Sequence, residues 1–231
     1  MGRFVTGLNA SGTHAAVNIF MRSLNRMRRV AYTYVGSHFG FGNRISKAIW
    51  EEQFAGDSWD YLENLDEEAH YASIVKMYEE LTIKNSLLDV GCGKGVLFSY
   101  LRQKLDLSKL NYTGIDISAN AVEAARAKWP AGSFRQLDFD KHGIDEKFDV
   151  IVFNESLYYF TRPLKILERC TARNLNPDGA YIVSMCDYVG HDNIWRQLTK
   201  SYRVVKEQQV RNERRQIWDI KVLMKKRQSA V

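Results

Sequence analysis

Residues 86–95 read Ser-Leu-Leu-Asp-Val-Gly-Cys-Gly-Lys-Gly, a short apolar run that carries one acid and then breaks into three alternating glycines. The run has the length and residue types of a buried strand, and VLFSYLRQKL after it (96–105) has helical spacing. Glycine tolerates positive φ and has no Cβ, and the first turn of a helix carries unpaired N–H groups, so backbone at such a turn can approach a ligand closely. Taken alone, a glycine-rich turn serves the packing of a strand against a helix equally well. The order of the elements that follow narrows the reading.

From Ser86 onward, apolar runs alternate with amphipathic stretches: SLLDV, YTGIDI, SFRQLDF, FDVIVF and AYIVSM are interleaved with VLFSYLRQKL, SANAVEAARAKW, RPLKILERCTARNL and IWRQLTKSY. That alternation predicts an α/β fold in which helices cover both faces of a parallel sheet. RVVKEQQVR and RQIWDIKVLMKK then predict a terminal hairpin. Upstream, residues 45–85 hold two helical patterns, ISKAIWEEQFA and DEEAHYASIVKMYEEL, and read as a helical lid or pre-domain. Residues 1–44 form a basic extension in which Phe20, Leu24, Met27 and Val30 recur at helical spacing among Arg22, Arg26, Arg28 and Arg29. Such a helix either docks with its arginines solvated or makes a weak membrane-surface or partner contact.

The 231 residues, 45% hydrophobic and 26% charged, suffice for one sizeable core and exclude a globally disordered chain. No run reaches the roughly 18–20 apolar residues of a membrane span, and no apolar leader core is seen at the N-terminus, so a cytoplasmic protein is expected. Cys92, Cys170 and Cys186 are odd in number and widely spaced, which argues against a disulfide framework and a zinc site; no metal is expected. The net charge of +6 is concentrated at the ends: residues 1–50 carry seven Lys/Arg and no acid, residues 200–231 carry ten and three acids, and the middle is net −8. Such ends could attract nucleic acid, anionic lipid or an anionic substrate.

Asp116 ends the second strand, 21 residues after Gly95, where a carboxylate can accept hydrogen bonds from two ribose hydroxyls or cap the next helix. Gln136-Leu137-Asp138-Phe139 ends the third strand; its acid can accept from an exocyclic amine while Leu137 or Phe139 packs on a purine. In an open α/β sheet these strand tips converge on one crevice. A dinucleotide fits less well, because the spacing is GxGxG rather than GxGxxG and Asp89 precedes the glycines, a better partner for an ammonium than for a diphosphate.

In order and spacing, LLDVGCGKG, GIDIS, QLDF, FDVIVFNESLYYF and LNPDGAYIVSM resemble the class I S-adenosylmethionine-dependent methyltransferases over residues 86–186. The resemblance implies a Rossmann-like, doubly wound, seven-stranded sheet with a reversed C-terminal strand over residues 86–231, preceded by the N-terminal helical segment. It implies S-adenosyl-L-methionine as cofactor: Gly91 and Gly93 at its methionine part, Asp116 with Ile117 at the ribose, Asp138 with Phe139 at the adenine, Asp89 orienting the loop or the amino group, and Asn154 at the cofactor from the fourth strand.

Asn154-Glu155-Ser156-Leu157 lacks the Asn/Asp-Pro-Pro-aromatic tetrad of amino-methyltransferases that act on DNA bases, so a nucleic-acid acceptor is not expected. ESLYYF, and more loosely WEEQFAGDSWDYLENL, resemble small methyltransferases of sugar amines, polysaccharide precursors and secondary metabolites, including the nodulation-factor N-methyltransferases. A small-molecule acceptor is therefore expected, with an RNA or protein acceptor or a non-catalytic cofactor-binding subunit as alternatives. Methyl transfer needs alignment and, for a hydroxyl or ammonium, a base. Glu155 and His191 are the candidates, each with an ordinary structural role also open to it. Tyr158 and Tyr159 are expected either both to line the acceptor pocket or one of them to be core, with only one touching ligand. Trp59 belongs with Trp50, Phe54, Tyr61, His70 and Tyr71 to the aromatic residues of the lid segment.

Overall fold

The computed structural model describes residues 35–56, 59 and 65–226. The basic helix expected over residues 20–30 lies outside them, as does Tyr61. Two helices, α1 (Lys47–Ala55) and α2 (Leu65–Glu79), precede the alternating body. That body runs β1 (Ser86–Val90), α3 (Val96–Lys104), β2 (Asn111–Asp116), α4 (Ala119–Lys128), β3 (Ser133–Gln136), β4 (Phe148–Asn154), α5 (Pro163–Arg173), β5 (Leu175–Cys186), α6 (His191–Ser201), β6 (Tyr202–Arg211) and β7 (Ile217–Lys225).

The strands form one sheet in the order β3-β2-β1-β4-β5-β7-β6. β7 is the reversed strand: it pairs antiparallel with β5 on one side (Ser184 opposite Ile220, Cys186 opposite Trp218) and with β6 on the other. This is the doubly wound α/β sheet expected from the strand–helix alternation. Alternation along each central strand feeds two cores. Val150, Val152, Ala180 and Ile182 face α2, α3 and α4, whereas Ile151, Phe153, Tyr181 and Val183 face α5 and α6. A strand covered on both faces has no polar side, hence the unbroken apolar runs. Helix α2 supplies Ile74, Val75, Met77 and Tyr78 to the first core, so it is a layer of the body; α1 packs on α4.

Three boundaries differ from the sequence expectation. β3 stops at Gln136, before Leu137-Asp138-Phe139, because the Leu137 N–H turns to the Asp116 carbonyl at 2.7 Å. β5 begins at Leu175, five residues early, with Asp178 at φ 61° in an irregular stretch where its pairing with β4 shifts register. α6 begins at His191 rather than Ile194, since Gly190, at φ 99°, supplies the left-handed residue that starts the helix.

The strand order reverses between β1 and β4, and the crevice outside the carboxyl ends of the strands opens there.

Candidate active site

A cavity of about 260 Å³ occupies that crevice, walled by the glycine loop, the tips of β1–β5 and β7, and the aromatic face of α1. Gly91, Gly93 and Gly95 all have positive φ, at 81°, 53° and 80°. Gly91 is constrained twice. Besides its backbone angle, a Cβ there would lie 2.6 Å from the Ser156 Cβ, and Ser156 is itself pinned by donating its hydroxyl to the Val90 carbonyl. The Gly91 and Cys92 N–H groups donate to the Ile115 carbonyl at 2.8 and 3.0 Å, lashing the loop to the β2 tip.

Asp116 accepts from the Gly93 N–H at 3.0 Å on one oxygen and from the Ser118 N–H at 2.9 Å on the other. Burial pushes its carboxyl up to about 6, against the pull of those two amides. Asp89 is 1% exposed and accepts from the Tyr112 hydroxyl at 2.9 Å. Burial pushes it to about 7; the Tyr112 bond pulls it down and the nearby Asp116 charge adds to the rise. Ile117 lines the cavity beside Asp116.

At the β3 tip, Asp138 Oδ2 takes a 2.6 Å hydrogen bond from Arg44, while its buried Oδ1 has no partner. Burial would raise this carboxyl, but the Arg44 hydrogen bond and charge prevail and hold it below the usual carboxylate range. Phe139 is buried in the same wall, with the Arg169 guanidinium 4.9 Å from its ring centre and also donating to its carbonyl.

At the β4 tip, the buried Asn154 Oδ1 and Glu155 Oε1 also have no partner, and both residues line the cavity. Glu155 sits at φ 52°, a left-handed conformation that a non-glycine residue adopts at a cost of about 1–3 kcal/mol. Its N–H is tied to the Ser184 carbonyl at 3.1 Å, and its Oε2 accepts from the Tyr158 hydroxyl at 2.9 Å. Burial raises its carboxyl above the ordinary range, against opposing contributions from His70, Cys186 and Tyr158.

His191 is placed differently from the sequence expectation. It is 5% exposed, does not line the cavity, and stacks behind Tyr158 with ring centroids 4.2 Å apart. Its Nδ1 meets the Cys186 carbonyl at 2.7 Å; a carbonyl only accepts, so that nitrogen carries the proton. Burial lowers its pKa. Proximity to Asp187 and Asp192 in sequence suggested a tuned base, but α6 begins at His191 and its backbone directs the ring inward. Tyr158 and Tyr159 both line the cavity, and Tyr158 is also core at 6% exposure.

Trp59, Trp50, Phe54 and Tyr159 form one aromatic group, with centroids 4.9 Å apart for Trp50–Tyr159 and 5.9 Å for Phe54–Trp59. Phe54 lies 3.6 Å from where a Gly93 Cβ would stand. Tyr71 lines the cavity as well, whereas His70 lies behind it, stacked on Trp218 at 4.9 Å and bonded to Ser184 Oγ at 2.8 Å.

Sequence reasoning passed over four site residues. Arg44 falls at the end of the basic extension, and Glu51 only within a loose motif. Glu51 reaches the start of α4, accepting from Ser118 Oγ at 2.7 Å and from the Ala119 and Asn120 N–H groups at 2.9 and 3.1 Å. Ser156 was in the quoted β4 segment and drew no notice. Trp218 would have needed the β5–β7 pairing to be known.

The described residues fit S-adenosylmethionine at each of its distinct ends. The glycine cradle would be filled by a Cβ, Asp116 can accept from a diol, and the orphaned Asp138 Oδ1 can accept from an exocyclic amine. A family described as a methyltransferase domain matches residues 82–228. The chain belongs to that family, the class I S-adenosylmethionine-dependent methyltransferases. S-adenosylmethionine is the cofactor of that family. The methyltransferase is similar to the N-methyltransferase NodS of Bradyrhizobium japonicum, solved with S-adenosylhomocysteine: TM-score 0.63, 18% identity, covering 78% of this chain and 98% of that one. It is 23% identical over 173 residues to a malonyl-[acyl-carrier protein] O-methyltransferase of Bacillus cereus, covering 73% of this chain and 63% of that protein. It is 43% identical over 138 residues to ribosomal RNA small subunit methyltransferase C of Yersinia pestis, covering 54% and 38%. The chain thus spans less than two thirds of these curated relatives' length. Among the described residues, no helix is long and apolar enough to cross a membrane.

Proposed function

We propose that the protein methylates an oxygen or nitrogen of a polar small molecule, such as a sugar-bearing metabolite, a polysaccharide precursor or a secondary metabolite, with Glu155 as the base. The observation that carries this reading is the Glu155 carboxylate. One oxygen is anchored by Tyr158 and the other is buried, without a partner, in the wall of the cofactor cavity. A base must present a lone pair in a fixed direction with a pKa near that of its working range, and burial moves this carboxyl upward toward it.

When bound, the cofactor supplies an electrophilic methyl group on a sulfonium, which is displaced in line. The chain's own residues do the rest. Asp116 and Asp138 hold the nucleoside end, Asp89 and Asn154 face the amino-acid end, and Tyr158, Tyr159 and Trp59 flank the acceptor. His191 is a positioning residue, backing Tyr158 so that its hydroxyl stays on Glu155. The α1 aromatic group shields the cavity from water, which strengthens the electrostatic effect of each carboxylate inside.

Incubation with methyl-labelled cofactor and size-fractionated cell extract tests the acceptor class. Label is expected in the small-molecule fraction; label confined to RNA or protein would overturn the reading. An RNA acceptor is the second reading, favoured by the net +7 charge at each end of the chain. It requires retention on RNA that falls steeply with salt.

A further inference from the structure

The acceptor side of the cavity has a charge pattern that names its ligand more closely. Tyr71, 4% exposed, lies among Glu67, Asp89 and Glu155, whose charges all act on its hydroxyl, and all four residues line the cavity. Asp89 is held by Tyr112 and Glu155 by Tyr158, while the Glu67 carboxylate, 4% exposed, lies 3.6 Å from His70 Nδ1. The described wall contains five carboxylates, namely these three with Asp116 and Asp138, against two cations, Arg44 and Lys94. Arg44 is engaged at the β3 tip, 2.6 Å from Asp138 and 3.2 Å from Asp140, and Lys94 belongs to the glycine loop. Asp116, Asp138 and Asp89 belong to the end that takes the cofactor, which itself adds a single net positive charge, so Glu67 and Glu155 remain on the side that a neutral acceptor would leave uncompensated.

The surrounding walls are aromatic. Trp50, Phe54, Trp59 and Tyr159 form a continuous group, Tyr158 packs 4.3 Å from Tyr159, and Trp218 closes the β7 side. Ring faces attract ammonium groups, and several rings with carboxylates behind them form the arrangement that binds alkylammonium ions.

We infer that the acceptor is an amine that enters the cavity as an ammonium ion, an assignment that rests on the methyltransferase reading and selects nitrogen over oxygen within it. The ammonium gives one proton to Glu155 Oε1, the orphaned oxygen, leaving a neutral amine and a protonated carboxyl. The freed nitrogen lone pair forms the bond to the methyl carbon as the carbon–sulfur pair departs with sulfur, which becomes a neutral thioether. The product is the N-methylammonium, whose positive charge stays between the rings and Glu67. Atoms and charge balance, with no further reactant.

The test uses protein saturated with S-adenosylhomocysteine, whose binding is measured first in the same calorimeter. Choline and its neutral carbon isostere, 3,3-dimethylbutan-1-ol, are then titrated as probes of the acceptor side. Choline is expected to bind about tenfold more tightly, and the preference to shrink severalfold in Glu155→Gln and in Glu67→Gln, each checked for unchanged S-adenosylhomocysteine affinity. The wild-type measurement needs neither variant to fold. Equal affinity for the two probes, tighter binding of the isostere, or no binding of choline to the saturated protein would overturn the amine assignment alone. Failure of S-adenosylhomocysteine to bind would remove the methyltransferase reading beneath it.

Discussion

On the β1–β3 side of the cavity, ligand-facing geometry is made largely by backbone, with the Gly91 and Cys92 amides spent on Ile115 and the Gly93 and Ser118 amides on Asp116, and Asp138 Oδ1 is the one buried side-chain oxygen there left over for a ligand. On the β4–β5 side it is made by side chains that leave polar atoms over. Asn154 Oδ1 and Glu155 Oε1 are buried without partners, Glu155 has a strained backbone, and aromatic rings arrive from several separate segments. A binding surface for a constant cofactor can be satisfied in advance, because its ligand adds only a few further bonds. A surface that moves a proton has to keep a basic oxygen unengaged, and burying such an oxygen costs about 1–3 kcal/mol of stability. The contrast predicts that damage on the first side lowers affinity and damage on the second lowers turnover.

The sharpest way to break this division is Glu155→Gln, which keeps the Tyr158 hydrogen bond while removing the proposed base. Turnover should fall by about 10²–10⁴ with S-adenosylhomocysteine affinity unchanged. Single-turnover kinetics beside calorimetry separates the two quantities, and a loss confined to affinity would erase the distinction between the halves. Next in size is Asp116→Ala, which removes the carboxylate proposed to accept from the ribose hydroxyls and also releases the Gly93 amide. Cofactor affinity should drop about 100-fold, as expected for two hydrogen bonds to a charged group. Calorimetry reads it directly, and an unchanged dissociation constant would mean that this strand tip does not hold the nucleoside.

The same division explains what could be read in advance. The glycine loop, Asp116 and Asp138 are recognisable because each sits at the end of its own strand, so periodicity followed by a turn residue locates it. Both cores follow from nearly unbroken apolar runs such as FDVIVF, which mark strands covered on both faces. The other half depends on contacts between distant segments. Arg44 meets Asp138 across 94 residues and Glu51 meets Ser118 across 67, and no local pattern encodes either. His191 had the chemistry of a base and a suggestive neighbourhood, yet the helix that Gly190 caps turned it toward Tyr158 and out of the cavity lining. Residue type suggests what a side chain could do, and backbone direction determines whether it reaches the reactants.

A smaller effect distinguishes a preformed side from one assembled only on binding. Burial holds Asp89 near 7 and Asp116 near 6, both above the ordinary value of 3.8. An acid whose folded pKa exceeds its unfolded one binds extra protons in the folded state throughout the window between them. Its contribution to stability therefore declines as pH rises from about 4 to about 7, then levels off. Asp89→Asn removes the larger part. Relative to wild type, the ligand-free variant should gain on the order of 2 kcal/mol, near 5 °C, across that window. Thermal melts at several pH values give the difference curve, and a flat curve would mean that the Asp89 site is open to water and forms only with ligand.

The smallest predicted effect concerns the link between the halves. Glu51 lies on α1, the helix that carries Trp50 and Phe54, and its carboxylate receives the first N–H groups of α4 beside Asp116. An acid at a helix N-terminus satisfies otherwise unpaired donors and opposes the positive end of the helix dipole. Burial acts to raise this carboxyl, but the bonds from Ala119, Ser118 and Asn120, with the Lys47 charge, hold it below its usual value of 4.5. A depressed folded pKa means that the stabilisation is present above about 4.5 and is lost as pH falls through the lower folded value. Glu51→Ala should therefore cost about 1 kcal/mol at pH 7, a 2–4 °C drop, with the gap closing in acid. Because the same bond keeps the α1 rings over Gly93, S-adenosylhomocysteine should also dissociate a few times faster, read by stopped-flow tryptophan fluorescence. A stability loss with unchanged dissociation would show that α1 covers the acceptor alone, and the two halves would then be independent parts of one cavity.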